Sequence, residues 1–139
     1  MVDRNARDQM VLLLRRLATG RITNDEFETQ RPVSSTDPAV DEIYHRGVWG
    51  FYSDLHEHRL VLSRGERREI ARFILFLKSD LDYQWPRRKL WGELLWMLAG
   101  LLTLGLAGRL YWRRLGRSGN VSVWPFLRRD DFERAVRHA

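Results

Sequence analysis

Residues 63–81 read SRGERREIARFILFLKSDL and indicate the central helix of the fold. Ser63 can accept a hydrogen bond at the start of this helix, and Glu66, three residues later, completes a capping box. After the first turn, apolar residues recur with a helical period on one wide face. They are Ile70, Phe73, Ile74, Leu75, Phe76 and Leu77. This wide apolar face predicts the most buried helix of a mainly α protein, ending near Leu81.

Two long helices are predicted before this one, besides a short helix from Thr23 to about Gln30. Residues 3–19 form an amphipathic pattern that ends at Gly20, a residue suited to the left-handed position after a helix. The Asp-Pro pair at 37–38 favours a helix start, because aspartate caps a helix and proline fits its first turn. The apolar stripe after this pair runs to Leu55 and predicts a helix that ends at about Glu57.

The end of the chain carries shorter signals. Val121 to Trp124 alternate as in a short strand, and Asp130 can cap a last short helix. Together these patterns predict a small helical bundle, then a hydrophobic helix that spans or re-enters a membrane, then a strand-plus-helix tail. The corresponding segments are residues 1–85, 86–117 and 118–139.

A helical hairpin is also predicted around Gly20. Residues 13–28 read LLRRLATGRITNDEFE, in which Thr23 and Glu26 can form a capping box. This pattern resembles the SHOCT module, a short helical hairpin of bacterial proteins. The resemblance covers residues 10–30 and implies a turn between two helices that mediates association. In that family the module usually lies at a C-terminus, often beside a membrane segment, whereas here it is N-terminal.

The composition excludes several classes of protein. The chain has 139 residues and no cysteine, which excludes disulfide frameworks, cysteine zinc sites and thiol catalysis. Its hydrophobic fraction of 44% and charged fraction of 30% are those of an ordinary globular chain, so extended disorder is excluded. Residues 1–4 lack the apolar region of a secretory signal, and we therefore expect a cytoplasmic N-terminus.

The positive charge is distributed unevenly. The chain carries a net charge of +6, yet residues 1–85 hold 13 basic and 14 acidic residues, whereas residues 86–139 hold 11 and 4. Only Lys78 and Lys89 among the 24 basic residues are lysines. Arginine binds phosphates and carboxylates as a planar fork, so the basic segment 86–139 suits lipid headgroups, nucleic acid or an acidic protein.

The longest uncharged run has the dimensions of a membrane segment. Residues 94–108 contain no charged side chain, and the apolar stretch extends to residue 90 if Glu93 is tolerated near its end. Trp91 and the Tyr-Trp pair at 111–112 bound this stretch, with about twenty residues between them. In a helix that separation is about 30 Å, the thickness of the hydrocarbon core of a bilayer.

We therefore predict membrane association through residues 90–112, with three groups of site residues. The residues at the membrane interface are Trp91, Tyr111, Trp112, Arg87, Arg88, Lys89, Arg113 and Arg114. The hydrophobic residues are Leu94, Leu95, Leu98, Leu101, Leu102, Leu104 and Leu106. The small residues that recur every four positions and favour helix packing are Ala99, Thr103 and Ala107.

The sequence leaves three structures open for this segment: a membrane span, a re-entrant or interfacial segment, and a buried pair of helices in a soluble protein. Both flanks are strongly basic, so the positive-inside rule gives no orientation. Gly100, Gly105 and Gly108 can interrupt a helix, which favours the second and third structures over a simple span.

Motifs for catalysis or metal binding are weak. His56 and His58 are two residues apart and point in different directions on a helix, unlike a helical zinc pair. Asp80 and Asp82 follow a helix and are expected to pair with arginines such as Arg72, Arg87 or Arg88. The sequence has no phosphate-binding loop, dinucleotide-binding motif or nucleophile elbow. We therefore expect no catalytic residue, metal ion or cofactor.

The leading hypothesis is a non-catalytic, bacterial-type interaction protein at the cytoplasmic face of the inner membrane. Residues 1–85 bind a partner protein, and residues 90–112 associate with the membrane. One alternative is a fully soluble cytoplasmic partner-binding protein of the antitoxin or immunity type. Another is a nucleic-acid binder that uses the basic C-terminal segment, although no known nucleic-acid motif accompanies it. A homo-oligomer is compatible with each.

Overall fold

The computed structural model describes residues 1–53, 55–85 and 119–138. This part of the chain is mainly helical and contains no strand, which confirms the predicted α class. Its α-helices are α1 (Arg4–Ala18), α2 (Asn24–Gln30), α3 (Pro38–Ile43), α4 (Arg64–Lys78) and α5 (Arg129–Arg137). Within the described ranges, no helix combines the length and the apolar character needed to cross a bilayer.

The predicted helix starts are confirmed at α1 to α4. Thr23 and Ser63 each accept a hydrogen bond from the backbone of the third helical residue, and that residue's glutamate bonds back to the cap. Asp37 caps α3, with Pro38 in the first turn. Gly20 has a φ of +65°, the left-handed conformation expected after α1. At α5 the structure differs, because Arg128 occupies the cap position and Asp130 lies in the first turn.

The helix that begins at Pro38 ends earlier than predicted. It continues past α3 as a π-helical turn, Tyr44–Val48, and a 3₁₀ turn, Trp49–Phe51. The wider turn brings Gly47 against α4, where a Cβ on Gly47 would lie 2.6 Å from the ring of Phe73. The helical segment ends at Phe51, and Leu55, predicted to lie on the apolar stripe, is 92% exposed.

The predicted strand at residues 121–124 is wrong. Residues Val121–Val123 form a 3₁₀ turn, which Asn120 caps by accepting a hydrogen bond from the backbone N–H of Ser122. The alternation in the sequence reflects this turn, since Val121 is exposed and Val123 is buried. A cis peptide bond follows between Trp124 and Pro125.

Helices α1 and α4 pack antiparallel at the centre of the core. Arg4, at the start of α1, donates hydrogen bonds to the carbonyls of Leu77 and Ser79 at the end of α4. At the other end, Gly20 lies beside the carbonyl of Leu60, shortly before α4 begins. The predicted buried face of α4 is confirmed at Ile70, Phe73, Phe76 and Leu77. Residues 119–138 contribute to the same core through Val123 and Phe126.

Candidate functional site

The predicted membrane segment lies outside the described residues. This applies to the interface residues Arg87, Arg88, Lys89, Trp91, Tyr111, Trp112, Arg113 and Arg114. It applies equally to the leucines at 94, 95, 98, 101, 102, 104 and 106, and to Ala99, Thr103 and Ala107. The structure describes instead the residues at which the chain enters this segment and returns from it, Trp85 and Gly119.

Trp85 is packed into the core and hydrogen-bonded to residues 125 and 126. Its side chain is only 3% exposed. The indole Nε1 donates to the carbonyl oxygens of Pro125 and Phe126, at 3.1 and 3.3 Å. A buried indole that has both its apolar face and its N–H satisfied fixes its position strongly. The chain is therefore held at the residue immediately before the hydrophobic segment.

Gly119 lies directly against Trp85. A Cβ on Gly119 would be 3.0 Å from Cζ2 of Trp85 and 2.8 Å from the carbonyl oxygen of Leu127. The next residue, Asn120, donates its backbone N–H to that same carbonyl at 2.9 Å. Only a residue without a side chain fits this approach. We refer to Trp85, Gly119, Pro125, Phe126 and Leu127 as the Trp85 clasp.

Aromatic rings connect the Trp85 clasp to α4. Phe126 meets Phe76 edge-on, with ring centroids 5.2 Å apart. Trp124 meets Phe73 in the same way at 5.2 Å, and its indole donates to the hydroxyl of Tyr83 at 3.2 Å. Burial raises the pKa of Tyr83 to about 12, so this hydroxyl stays protonated at neutral pH. These contacts attach the clasp to the most buried helix of the bundle.

A buried ion pair holds one end of the α1–α4 pair together. The guanidinium of Arg7 donates from Nε and Nη2 to the carboxylate of Asp37, at 2.5 and 3.2 Å. It also donates to the carbonyls of Ser79 and Leu81, at 2.8 and 2.9 Å, and lies over the ring of Phe76. Arg7 therefore joins α1, the loop before α3 and the residues after α4.

The environment of Asp37 favours its charged form. Burial alone would raise the pKa of this carboxyl, but hydrogen bonds from Arg7 and from the backbone N–H of Asp3 hold it below the ordinary value of 3.8. The same carboxylate accepts from the N–H of Ala39 as the cap of α3. One side chain thus serves both as ion-pair partner and as helix cap.

The exposed acidic residues near Arg7 are paired as well. Asp80 pairs with an arginine as expected, but the partner is Arg4, because the start of α1 lies against the end of α4. Asp82 lies 3.3 Å from the amino group of Met1. Arg72, one of the three predicted partners, donates instead to the carbonyl of Ser122, whereas Arg87 and Arg88 lie outside the described residues. We call this part of the molecule, around Arg4 and Arg7, the paired end.

Seven exposed arginines gather at the opposite end, where α1 finishes and α4 begins. They are Arg15, Arg16, Arg21, Arg59, Arg64, Arg67 and Arg68. Among the residues that the structure describes, none of the seven forms an ion pair. Three carboxylates nearby are engaged locally, since Glu26 and Glu66 bond to the caps of their own helices and Glu57 accepts from Thr23. We call this surface the arginine end.

Asn24 holds the loop at the arginine end. Its amide nitrogen donates to the carbonyls of Ser53 and His56, both at 3.2 Å, and its amide oxygen accepts from the N–H of His58 at 2.7 Å. This arrangement places the two histidine rings 4.9 Å apart in a loop rather than on a helix. Nowhere in the described parts of the chain do three histidine or acidic side chains form a group suited to a metal ion.

Two tyrosines share one carboxylate on the side of the bundle. The hydroxyls of Tyr44 and Tyr52 both donate to Oε1 of Glu28, at 3.2 and 3.0 Å. Burial raises the pKa of each tyrosine, so both remain hydrogen-bond donors. Arg31 covers the ring of Tyr44 at 4.1 Å. This cluster attaches α2 to the helix that follows and has the character of a structural contact.

A groove of about 490 Å³ lies between the end of α4 and α5. Its apolar floor includes Leu75, Leu81 and Ala135. The two acidic residues at its edge are already paired, Asp80 with Arg4 and Asp131 with Arg134. Both carboxylates of the lining are therefore engaged in ion pairs.

Sequence reasoning missed three of these structural residues. Arg7 occupies a position on the buried stripe of α1, in register with Met10 and Leu14, and that position is the signal that could have identified it. Asn24 gives no comparable signal, because its partners lie about thirty residues away. Trp85 gives no such signal either, because its hydrogen-bond partners lie about forty residues further along the chain.

Comparison with known proteins adds no relative. No family model matches the chain, and neither a curated protein nor a solved structure matches it. The resemblance of residues 10–30 to the SHOCT module stays a prediction. The structure does show a helix–turn–helix over this range, with Ile22 and Phe27 both buried beside the turn.

Proposed function

We propose that this protein is a non-catalytic helical interaction protein that associates with a membrane through residues 90–112. The observation that carries the proposal is the position of the uncharged run within the chain. It is inserted between Trp85 and Gly119, which touch each other in a folded helical domain. A long apolar insertion with its ends held on a polar bundle is suited to reaching a lipid surface.

The charge distribution supports a lipid surface rather than a protein core. Residues 86–118 hold seven basic residues and one acidic residue, a surplus equal to the net charge of the whole chain. The remaining residues hold 17 of each sign and are neutral overall. Basic side chains beside a membrane segment attract anionic headgroups by about 1 kcal/mol each. The expected location is the cytoplasmic face of the inner membrane.

We place partner binding at the arginine end of the bundle. Seven arginines without an ion pair to a described residue suit an acidic protein surface, because the guanidinium binds carboxylates as a bidentate fork. Arg64 lies in the first turn of α4, where a positive charge is unfavourable to the helix. Stability therefore does not explain its position, whereas binding an acidic partner would.

Flotation tests the membrane part of the proposal. The purified full-length chain is mixed with phosphatidylcholine vesicles, with and without anionic phosphatidylglycerol, and centrifuged through a density gradient. We expect the protein to float with the anionic vesicles. Leu102→Arg is expected to weaken binding about 100-fold, since an arginine at the membrane centre costs about 2.5–3.5 kcal/mol. The matched control is Leu55→Arg, at a residue that is 92% exposed, and should float normally.

The same samples separate the alternatives. In a fully soluble protein, the wild-type chain stays at the bottom of the gradient, and Leu102→Arg lowers the melting temperature by disrupting a core. In a nucleic-acid binder, the chain is retained on DNA or RNA with a steep dependence on salt. Either result would contradict the membrane part of the proposal.

Charge reversal tests the arginine end. In the triple variant Arg64→Glu, Arg67→Glu, Arg68→Glu, the new acids lie near a helix N-terminus, where they favour the helix, so folding should be retained. We expect a photo-crosslinker at Arg59 to trap one discrete protein in cells carrying the wild-type chain, and to lose that product in the variant. Reversal of the exposed Arg137 on α5 is the control. An unchanged product in the triple variant would exclude this surface.

A further inference from the structure

We infer that the Trp85 clasp places both ends of the hydrophobic segment on the same face of the membrane. This inference rests on the membrane association proposed above and specifies its topology. The described contacts that carry it are those of Trp85 with Pro125, Phe126 and Gly119. A segment whose first and last neighbours touch enters and leaves through one surface.

A single membrane crossing is incompatible with these contacts. The two ends of a span are separated by the hydrocarbon core, about 30 Å thick. Gly119 instead lies beside Trp85, so close that a Cβ added to Gly119 would fall 3.0 Å from the indole ring. A chain that crosses once would have to pull Trp85 out of the core and break both hydrogen bonds of its N–H.

The same-face topology accounts for the basic residues on both flanks. Arg87, Arg88 and Lys89 precede the apolar stretch, and Arg109, Arg113, Arg114 and Arg117 follow it. For a single span, one of these clusters would face the outside, against the positive-inside rule. With Trp85 and Gly119 on one face, the two basic clusters can share the cytoplasmic headgroups, where positive charge is favoured.

The absence of cysteine from the chain makes this topology directly measurable. Single cysteines are introduced as Gln84→Cys, before the segment, and Ser122→Cys, after it. Both residues are exposed in the structure, so the substitutions should not disturb the core. Ser35→Cys, on an exposed part of the bundle, reports the face on which the bundle lies. Sealed membrane vesicles of known orientation are then treated with a membrane-impermeant maleimide.

We expect all three cysteines to react from the cytoplasmic face, and none to react from the other face until detergent is added. If the maleimide labels position 84 from one face and position 122 from the other, the topology is overturned while membrane association stays intact. Recovery of all three variants in the soluble fraction would overturn both the topology and the proposed function. The two failures are thus distinguished by where the protein is recovered.

Discussion

The two ends of the α1–α4 pair use arginine in opposite ways. At the paired end, Arg4 and Arg7 bond to carboxylates and to carbonyls at and just after the end of α4, where the negative end of the helix dipole also favours a cation. At the arginine end, seven exposed guanidinium groups have no ion-pair partner among the described residues. The difference indicates that charge stabilises the fold at one end, whereas at the other the proposed function gives it a role in binding.

The largest expected effect is at the buried pair of the paired end. Asp37→Asn removes the charge opposite Arg7 and leaves a buried guanidinium uncompensated, which typically costs about 3–5 kcal/mol. Asp80→Asn is the matched control, because Asp80 is exposed and its pair with Arg4 contributes about 0–1 kcal/mol. Urea unfolding at pH 7 measures both. Equal losses in the two variants would show that burial does not distinguish these pairs.

The paired end should also make stability depend on pH. The pKa of Asp37 is lowered in the folded state, so its contribution is complete above the ordinary value of 3.8 and is lost as the pH falls through the lower, folded value. Between pH 5 and pH 2, wild-type stability should therefore fall more than that of Asp37→Asn. Thermal unfolding followed by circular dichroism across this range checks the expectation. Parallel pH profiles would assign the loss to other acidic groups.

The loop at the arginine end should depend on a neutral side chain instead. Asn24→Ala removes three hydrogen bonds to residues 53–58 and leaves backbone groups without partners, at a cost of about 1–3 kcal/mol. Asn5→Ala makes the same chemical change at an exposed position of α1 and should be nearly neutral. The difference between the variants in urea midpoint measures the contribution of Asn24. A negligible difference would mean that other contacts hold the loop.

The smallest effect is expected for the arginines themselves. Replacing Arg64, Arg67 and Arg68 together by glutamine should change the free energy of unfolding by no more than about 0.5 kcal/mol per residue, because exposed side chains away from packing or ion pairs contribute little. Differential scanning calorimetry compares this triple variant with the wild type. A large loss would show that these arginines stabilise the fold, which would remove the contrast between the two ends.

Local features of this fold could be predicted from the sequence. The capping boxes at Thr23 and Ser63, the Asp-Pro start at 37–38 and the left-handed Gly20 involve residues within a few positions of each other, so their chemistry is visible in a short window. The buried face of α4 was predicted for the same reason, since helical periodicity is a local property.

Features that depend on distant residues could not be predicted. Leu55 continues the apolar stripe in sequence, but the helical segment ends before it, at Phe51. Gly47 packs closely against Phe73, and Asn24 donates a hydrogen bond to the carbonyl of Ser53 in the loop that follows. Residues 121–124 alternate like a strand, yet no neighbouring strand exists in the described structure, and Asn120 closes a turn instead. The contact of Trp85 with Gly119 joins positions more than thirty residues apart.

The most direct test of the account is the distance across the Trp85 clasp in the membrane-bound protein. Spin labels at Gln84→Cys and Ser122→Cys would be measured by pulsed electron paramagnetic resonance on the full-length chain bound to anionic vesicles. We predict a narrow distribution well below about 30 Å, because both labels lie on one face of the bilayer. A main distance of about 30 Å or more would place the labels on opposite faces and contradict the central claim.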